Sequence, residues 1–200
     1  VVRTKLSVEG AGQTDLQRTQ CRRAFSEFFA SAGVTSRPRT VPCGGRGRAY
    51  DAFKHAAAPG KQGELPLLLV DSETTVTPGQ TVWQHLKSRD NWDKPVGASD
   101  DQAFMMVQVM ESWFLADREM LRQYFRTGLV EKHLRDWPSL ESVPKEDVQG
   151  ALERATAGCG KKRYAKGKVS FELLEELDAM RVEEDACPHA KSLLDRLRKL

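Results

Sequence analysis

Glu9, Asp71, Glu73 and Glu111 fall where apolar runs stop. Val8 gives way to Glu9-Gly10, Leu65–Val70 to Asp71-Ser72-Glu73, and Phe104–Val109 leads through Met110 to Glu111. Taken singly, each acid reads as a cap on a helix or turn. As a set the reading changes. Carboxylates gathered at one edge repel and lose hydration, and a divalent cation balances them. Asp71 and Glu73, two apart, point to the same side of an extended chain and can face one ion. Mg²⁺ is held by one or two carboxylates, water and substrate phosphates, which such an edge would offer.

Two basic stretches could meet those phosphates. Gly44-Gly45-Arg46-Gly47, with Arg48, follows an apolar run and precedes a helical one, where free backbone N–H groups favour phosphate. It is not a P-loop, since no Gly-Lys-Ser/Thr follows. The second stretch, 158–168, holds Lys161, Lys162, Arg163, Lys166 and Lys168. Basic clusters read first as solvated surface.

The elements that must position these groups follow from the apolar pattern. Residues 3–8 form a strand closed by Glu9-Gly10-Ala11-Gly12, and Thr14 or Asp15 caps a helix over Leu16–Phe29 that Gly33 ends. Arg39–Cys43 is a second strand and Tyr50–Ala58 a second helix, stopped by Pro59-Gly60. Leu65–Val70 is continuously apolar, as in a strand buried on both faces. Residues 74–102 are polar, with Pro78, Gly79, Pro95 and Gly97, and read as a long loop carrying Trp83, His85 and Trp92. These aromatics could stack on bases or pin the loop to the core, and the second reading is preferred. Phe104–Val109 is a fourth strand and 111–125 a helix. The order β-α-β-α-β builds an α/β fold with a parallel-rich sheet flanked by helices. A core over 1–125 with the long loop at 74–102, and a helical C-terminal extension over 126–200 packing on it, is the expected domain plan.

Composition narrows the classes. The 200 residues are 40% hydrophobic and 30% charged, with a formal net charge of +3, so no global field pulls the chain onto nucleic acid. No apolar run approaches the ~20 residues of a membrane span, and the start lacks the apolar core of a signal peptide. Cys21, Cys43, Cys159 and Cys187 have no paired zinc spacing. They read as reduced thiols of a cytoplasmic protein. His55, His133 and His189 show no partner pattern.

Val8-Glu9-Gly10, the βαβαβ spacer and Leu67-Leu68-Leu69-Val70-Asp71-Ser72-Glu73 resemble the Toprim pattern: a glutamate after the first strand and a D-x-D pair after a later one. Here the second acid is Glu73 rather than aspartate. Cys43-Gly44-Gly45-Arg46 and Met110–Asp117 make the chain similar, over nearly its whole length, to a Toprim-like family known as domain of unknown function 4276. That family is related to OLD-type and RloB-type groups and is often found near ATPase partners. The resemblance implies a Toprim-like fold and a Mg²⁺- or Mn²⁺-dependent nuclease for DNA or RNA, an effector of antiviral defence working with an ATPase. Glu9 would be general acid/base or a metal ligand, and Asp71 and Glu73 would hold the ion with Glu111 as a further ligand. Lys166 or Lys168 would neutralise the transition state. The competing reading is a catalytically silent Toprim module that binds a partner protein or nucleic acid.

Overall fold

The computed structural model describes residues 3–10, 14–60, 63–183 and 187–200. Ala11 and Gly12 of the expected first turn lie outside the described residues. Four strands, β1 (Thr4–Val8), β2 (Arg39–Pro42), β3 (Leu65–Asp71) and β4 (Ala103–Met106), form one parallel sheet in the order β2-β1-β3-β4. The register places Leu6 between Thr40 and Leu67, and Asp71 beside Met106. Parallel pairing needs crossovers, and α1 (Asp15–Ser31), α2 (Arg46–Ala56) and α3 (Val82–Asp90) lie in the three connections.

The place of β3 explains why its sequence is apolar from Leu65 to Val70. Leu67 and Leu69 join one cluster with Leu6, Val8, Phe25 and Phe28, whereas Leu68 and Val70 join another with Tyr50, Phe53, Trp83 and Leu86. Successive side chains alternate across a sheet, so a strand covered on both faces has no solvent side to leave polar. On α1 the inward residues are Cys21, Ala24, Phe25, Phe28 and Phe29, as the helical spacing requires. Thr14 caps the helix by accepting from the Gln17 N–H at 3.2 Å, and Gly33, at φ 74°, turns the chain out of it.

Four elements depart from the sequence reading. Residues 74–102 are not one long loop, because α3 crosses them, opened by a capping box between Thr81 and Gln84. Trp83 and His85 are buried, Trp83 packs against Phe53, and Trp92 stacks on Tyr50 with centroids 4.5 Å apart. These residues pin the segment to the second core cluster. β4 is shorter than 104–109, and α2 starts at Arg46, four residues before Tyr50. The expected 111–125 helix is two, α4 (Glu111–Ala116) and α5 (Arg118–Phe125). They part at Asp117, whose buried carboxylate accepts from the Met120 N–H at 2.9 Å and the Asp178 N–H at 3.2 Å.

Beyond residue 126 come α6 (Lys145–Ala155), α7 (Lys168–Glu176), α8 (Ala179–Glu183) and α9 (Pro188–Arg198). α7 packs along α1 and α9 against β4. Phe171, Leu174 and Leu194 belong to the same apolar cluster as Phe25 and Trp113. Among the described residues no helix is long and apolar enough to cross a membrane.

Candidate functional site

The carboxyl ends of β1 and β3 carry the acids. Glu9 follows β1 directly, and its N–H donates to the Leu69 carbonyl at 2.9 Å, extending the ladder by one residue. Asp71 closes β3; beyond it the Ser72 and Glu73 N–H groups bond the carbonyls of Met106 and Gln108. Glu73 stands at φ 65°, a left-handed conformation that costs a non-glycine residue on the order of 1 kcal/mol. Asp71 and Glu73 therefore do not share one side of an extended chain, as their spacing suggests. A backbone turn brings them together instead. Carboxylate oxygens of Glu9, Asp71 and Glu73 lie within 4.8 Å of one another.

Neighbouring groups fix each acid differently. Glu9 Oε2 accepts from the Asp71 N–H at 3.0 Å, and Asp71 Oδ1 accepts from the Met110 N–H at 3.0 Å. Glu73 is bonded by the Lys145 ammonium, with Arg89 at 4.0 Å. Arg46 reaches in from the first turn of α2. Its Nη1 lies 3.5 Å from Glu9 Oε2 and donates to the Asp71 carbonyl, and its Nη2 bonds Asp90 at 2.5 Å. Asp90 also bonds Arg89. Lys145, Glu73, Arg89, Asp90, Arg46 and Glu9 thus form a chain of alternating charge drawn from five elements or their ends. Arg46 is a counter-ion here, seated over the Trp92 ring at 5.1 Å.

Glu111 stands apart from the three-acid group. It is buried at the start of α4, and the Tyr164 hydroxyl donates to its Oε1 at 2.6 Å, with Ser170 Oγ 3.3 Å from that hydroxyl. Glu9, Asp71 and Glu111 nevertheless line one cavity of about 360 Å³, with Gly10, Gln17, Gly44, Lys166, Gly167 and Phe171 among the other walls. Lys166 therefore meets the acids across this space. Lys168 does not line it; its ammonium lies 3.6 Å from Glu172. Gly44 lines the cavity at φ 79°, tied to Gly10 by a pair of backbone hydrogen bonds. Gly45 is the N-cap of α2, and Arg48 is exposed on that helix.

Asp71 bears the largest electrostatic load. Burial, followed by the charges of Glu9, Glu111 and Glu73, pushes its carboxyl well above the usual range, against the Met110 N–H bond. Burial also raises Glu9, with Arg46 and the Asp71 N–H opposing and Glu73 adding to the rise. Burial acts on Glu73 in the same sense, but the hydrogen bond and charge of Lys145, with Arg89 and Arg46, outweigh it and hold Glu73 low. Five carboxylates (Glu9, Asp71, Glu73, Asp90, Glu111) face four cations (Arg46, Arg89, Lys145 and, across the cavity, Lys166), leaving one negative charge over when all are ionised. All the donors are carboxylate oxygens, the chemistry a hard divalent cation prefers.

A family model described as Domain of unknown function (DUF4276) matches residues 8–198. The chain belongs to that family. The DUF4276 match takes in Glu9, Asp71, Glu73 and Glu111 together with Lys145, Tyr164 and Lys166, so acids and counter-charges lie in one family unit. No curated protein and no solved structure gives a match to the chain.

Local patterns do not mark Lys145, Arg89, Asp90 or Tyr164, because their partners lie far away in sequence. Lys145 is 72 residues from Glu73, and Tyr164 is 53 from Glu111. The one local signal was Thr81-x-x-Gln84, which opens the helix that delivers Arg89 and Asp90. His189 also has a distant partner, Glu141, at 2.6 Å.

Proposed function

We propose that this protein is a Toprim-like phosphodiesterase that uses Mg²⁺ or Mn²⁺ to cleave DNA or RNA. The observation that carries the reading is the convergence of Glu9, Asp71 and Glu73 within 4.8 Å, beside a cavity that Lys166 also lines. Asp71 and Glu73, with Glu9, would hold the cation; when bound it would supply charge neutralisation at the phosphate and activation of water. Glu9, which lines the cavity beside Asp71, would serve as general acid/base where it does not ligate the cation. Lys166 would meet the charge that develops on the phosphate. Gln17 and the Gly10–Gly44 bridge also line this space.

The family resemblance adds an ATPase partner and a role in defence, and the scattered spacing of the four cysteines fits a cytoplasmic setting. One observation favours a catalytically silent module instead: Lys145 and Arg89 already satisfy Glu73. Cleavage assays with Mg²⁺ and Mn²⁺ on DNA and RNA decide between the two. Activity should appear with metal, and both Glu9→Gln and Asp71→Ala should abolish it. Cleavage that survives either change in clean protein assigns the chemistry elsewhere.

A further inference from the structure

The stretch Ala157–Lys168 contains Lys161, Lys162, Arg163, Lys166 and Lys168 and no acid. Lys161, Lys162, Arg163 and Lys166 are exposed, yet the loop that bears them is anchored at its centre. Tyr164 is 3% exposed, its N–H donates to Thr156 Oγ1 at 2.9 Å, and its hydroxyl reaches Glu111. A buried tyrosine bonded to a carboxylate at the cavity wall sets where the flanking cations stand. Lys166, two residues on, lines the cavity itself. Two residues before Tyr164, Lys162 sits over the Tyr124 ring at 4.6 Å and shares a recess with Arg126, Gln123 and Glu176. Glu176 and the Tyr124-bound Glu172 are the nearby acids, and Glu172 also faces Lys168. Arg46, the cation of the other basic stretch, is committed to Glu9 and Asp90.

We infer that the loop 157–168, with Arg126, is the track on which the phosphate backbone of a nucleic acid lies as it enters the cavity of Glu9 and Asp71. This deepens the phosphodiesterase reading and rests on it for the identity of the ligand. Lys162 and Lys166 are at most about 14 Å apart along the chain, so the recess and the cavity mouth can contact neighbouring phosphates of one strand. Backbone contacts of this kind position a substrate without reading its sequence.

Binding measured in EDTA separates the track from the chemistry. Short fluorescent DNA and RNA strands, single and duplex, serve as probes in anisotropy titrations at several ionic strengths. Against the wild type, Lys161→Gln/Lys162→Gln/Arg163→Gln should weaken binding roughly tenfold or more at low salt and flatten the log–log salt slope by about two on single strands. The single variant Lys166→Gln should weaken it less, in the same direction. Arg37→Gln/Lys54→Gln, at exposed positions ahead of β2 and on α2, should bind nearly as the wild type does. The inference is overturned if the wild type binds no strand, if the loop variants keep its affinity and slope, or if the Arg37/Lys54 control loses as much. Loop-dependent binding without cleavage in Mg²⁺ keeps the track and removes the phosphodiesterase. Cleavage indifferent to the loop does the opposite.

Discussion

Asp71 is held between two opposite demands. Its carboxylate takes the Met110 N–H, which favours the charged form, while burial and three neighbouring acids favour the neutral one, and the second group wins. Asp71→Asn keeps the shape and the acceptor while removing a charge that repels Glu9 and Glu73. In EDTA the variant should melt higher than the wild type, by about 2–6 °C for a chain of this size. The pH dependence has a definite sign. A carboxyl whose folded pKa is raised makes the folded state the better proton binder, so its penalty is full at high pH and fades as pH falls through the folded value. The advantage of Asp71→Asn should therefore shrink as the pH is lowered from the alkaline side toward the ordinary carboxylate range. Mg²⁺ or Mn²⁺ should stabilise the wild type by mass action and the variant much less. A variant that melts lower, with neither protein responding to metal, rules out the shared ion. Tyr164 poses a separate question at this scale. Tyr164→Phe leaves buried Glu111 without its donor and should cost about 1.5–3 kcal/mol in urea unfolding. A neutral result would show that the bond does not fix the loop. The acids at strand ends were legible because each ends an apolar run. Their counter-charges were not, since pairing across 72 residues leaves no local trace.

At the scale of elements, α3 decides whether the site is closed on one side. It contributes Arg89 and Asp90 from its last turn, and Asn91, at φ 57°, ends it in a left-handed cap. Its sequence hid it: flanking prolines and glycines signal a loop, and only Trp83, His85 and Leu86 face inward across nine residues. A pattern so short gives periodicity little to work with. The capping box carries more of the specification than the apolar stripe does. Thr81→Ala should cost about 1 kcal/mol, read by urea unfolding. Hydrogen exchange should show the first turn of α3 opening before β3 does. Uniform loss of protection across the sheet would mean that α3 does not open independently. The long inner strand was legible for the converse reason. A strand covered on both faces leaves the six-residue apolar run Leu65–Val70, which a half-exposed strand would interrupt with polar residues.

At the scale of the whole molecule, the two ends of the chain share one core. α1 and α7 pack side by side, and Phe28, Trp113, Phe171 and Leu194 occupy a single apolar cluster. A chain ending at Phe125 would leave the α7 face of α1 and the α9 side of β4 uncovered. It should bind a hydrophobic dye and lack a cooperative melt, and a sharp two-state transition in that fragment would contradict this. Mass composition and net charge could not reveal this dependence, because it lies in which distant helices meet. The same architecture orders events during synthesis. Glu73 leaves the ribosome 72 residues before the lysine that bonds it, and Glu111 leaves 53 residues before its tyrosine. At 5–20 residues per second the first interval lasts roughly 4–14 s. For those seconds Glu73 stands without the lysine that bonds it. The finished site is the late product of a chain whose acids are made well before the lysine that bonds one of them.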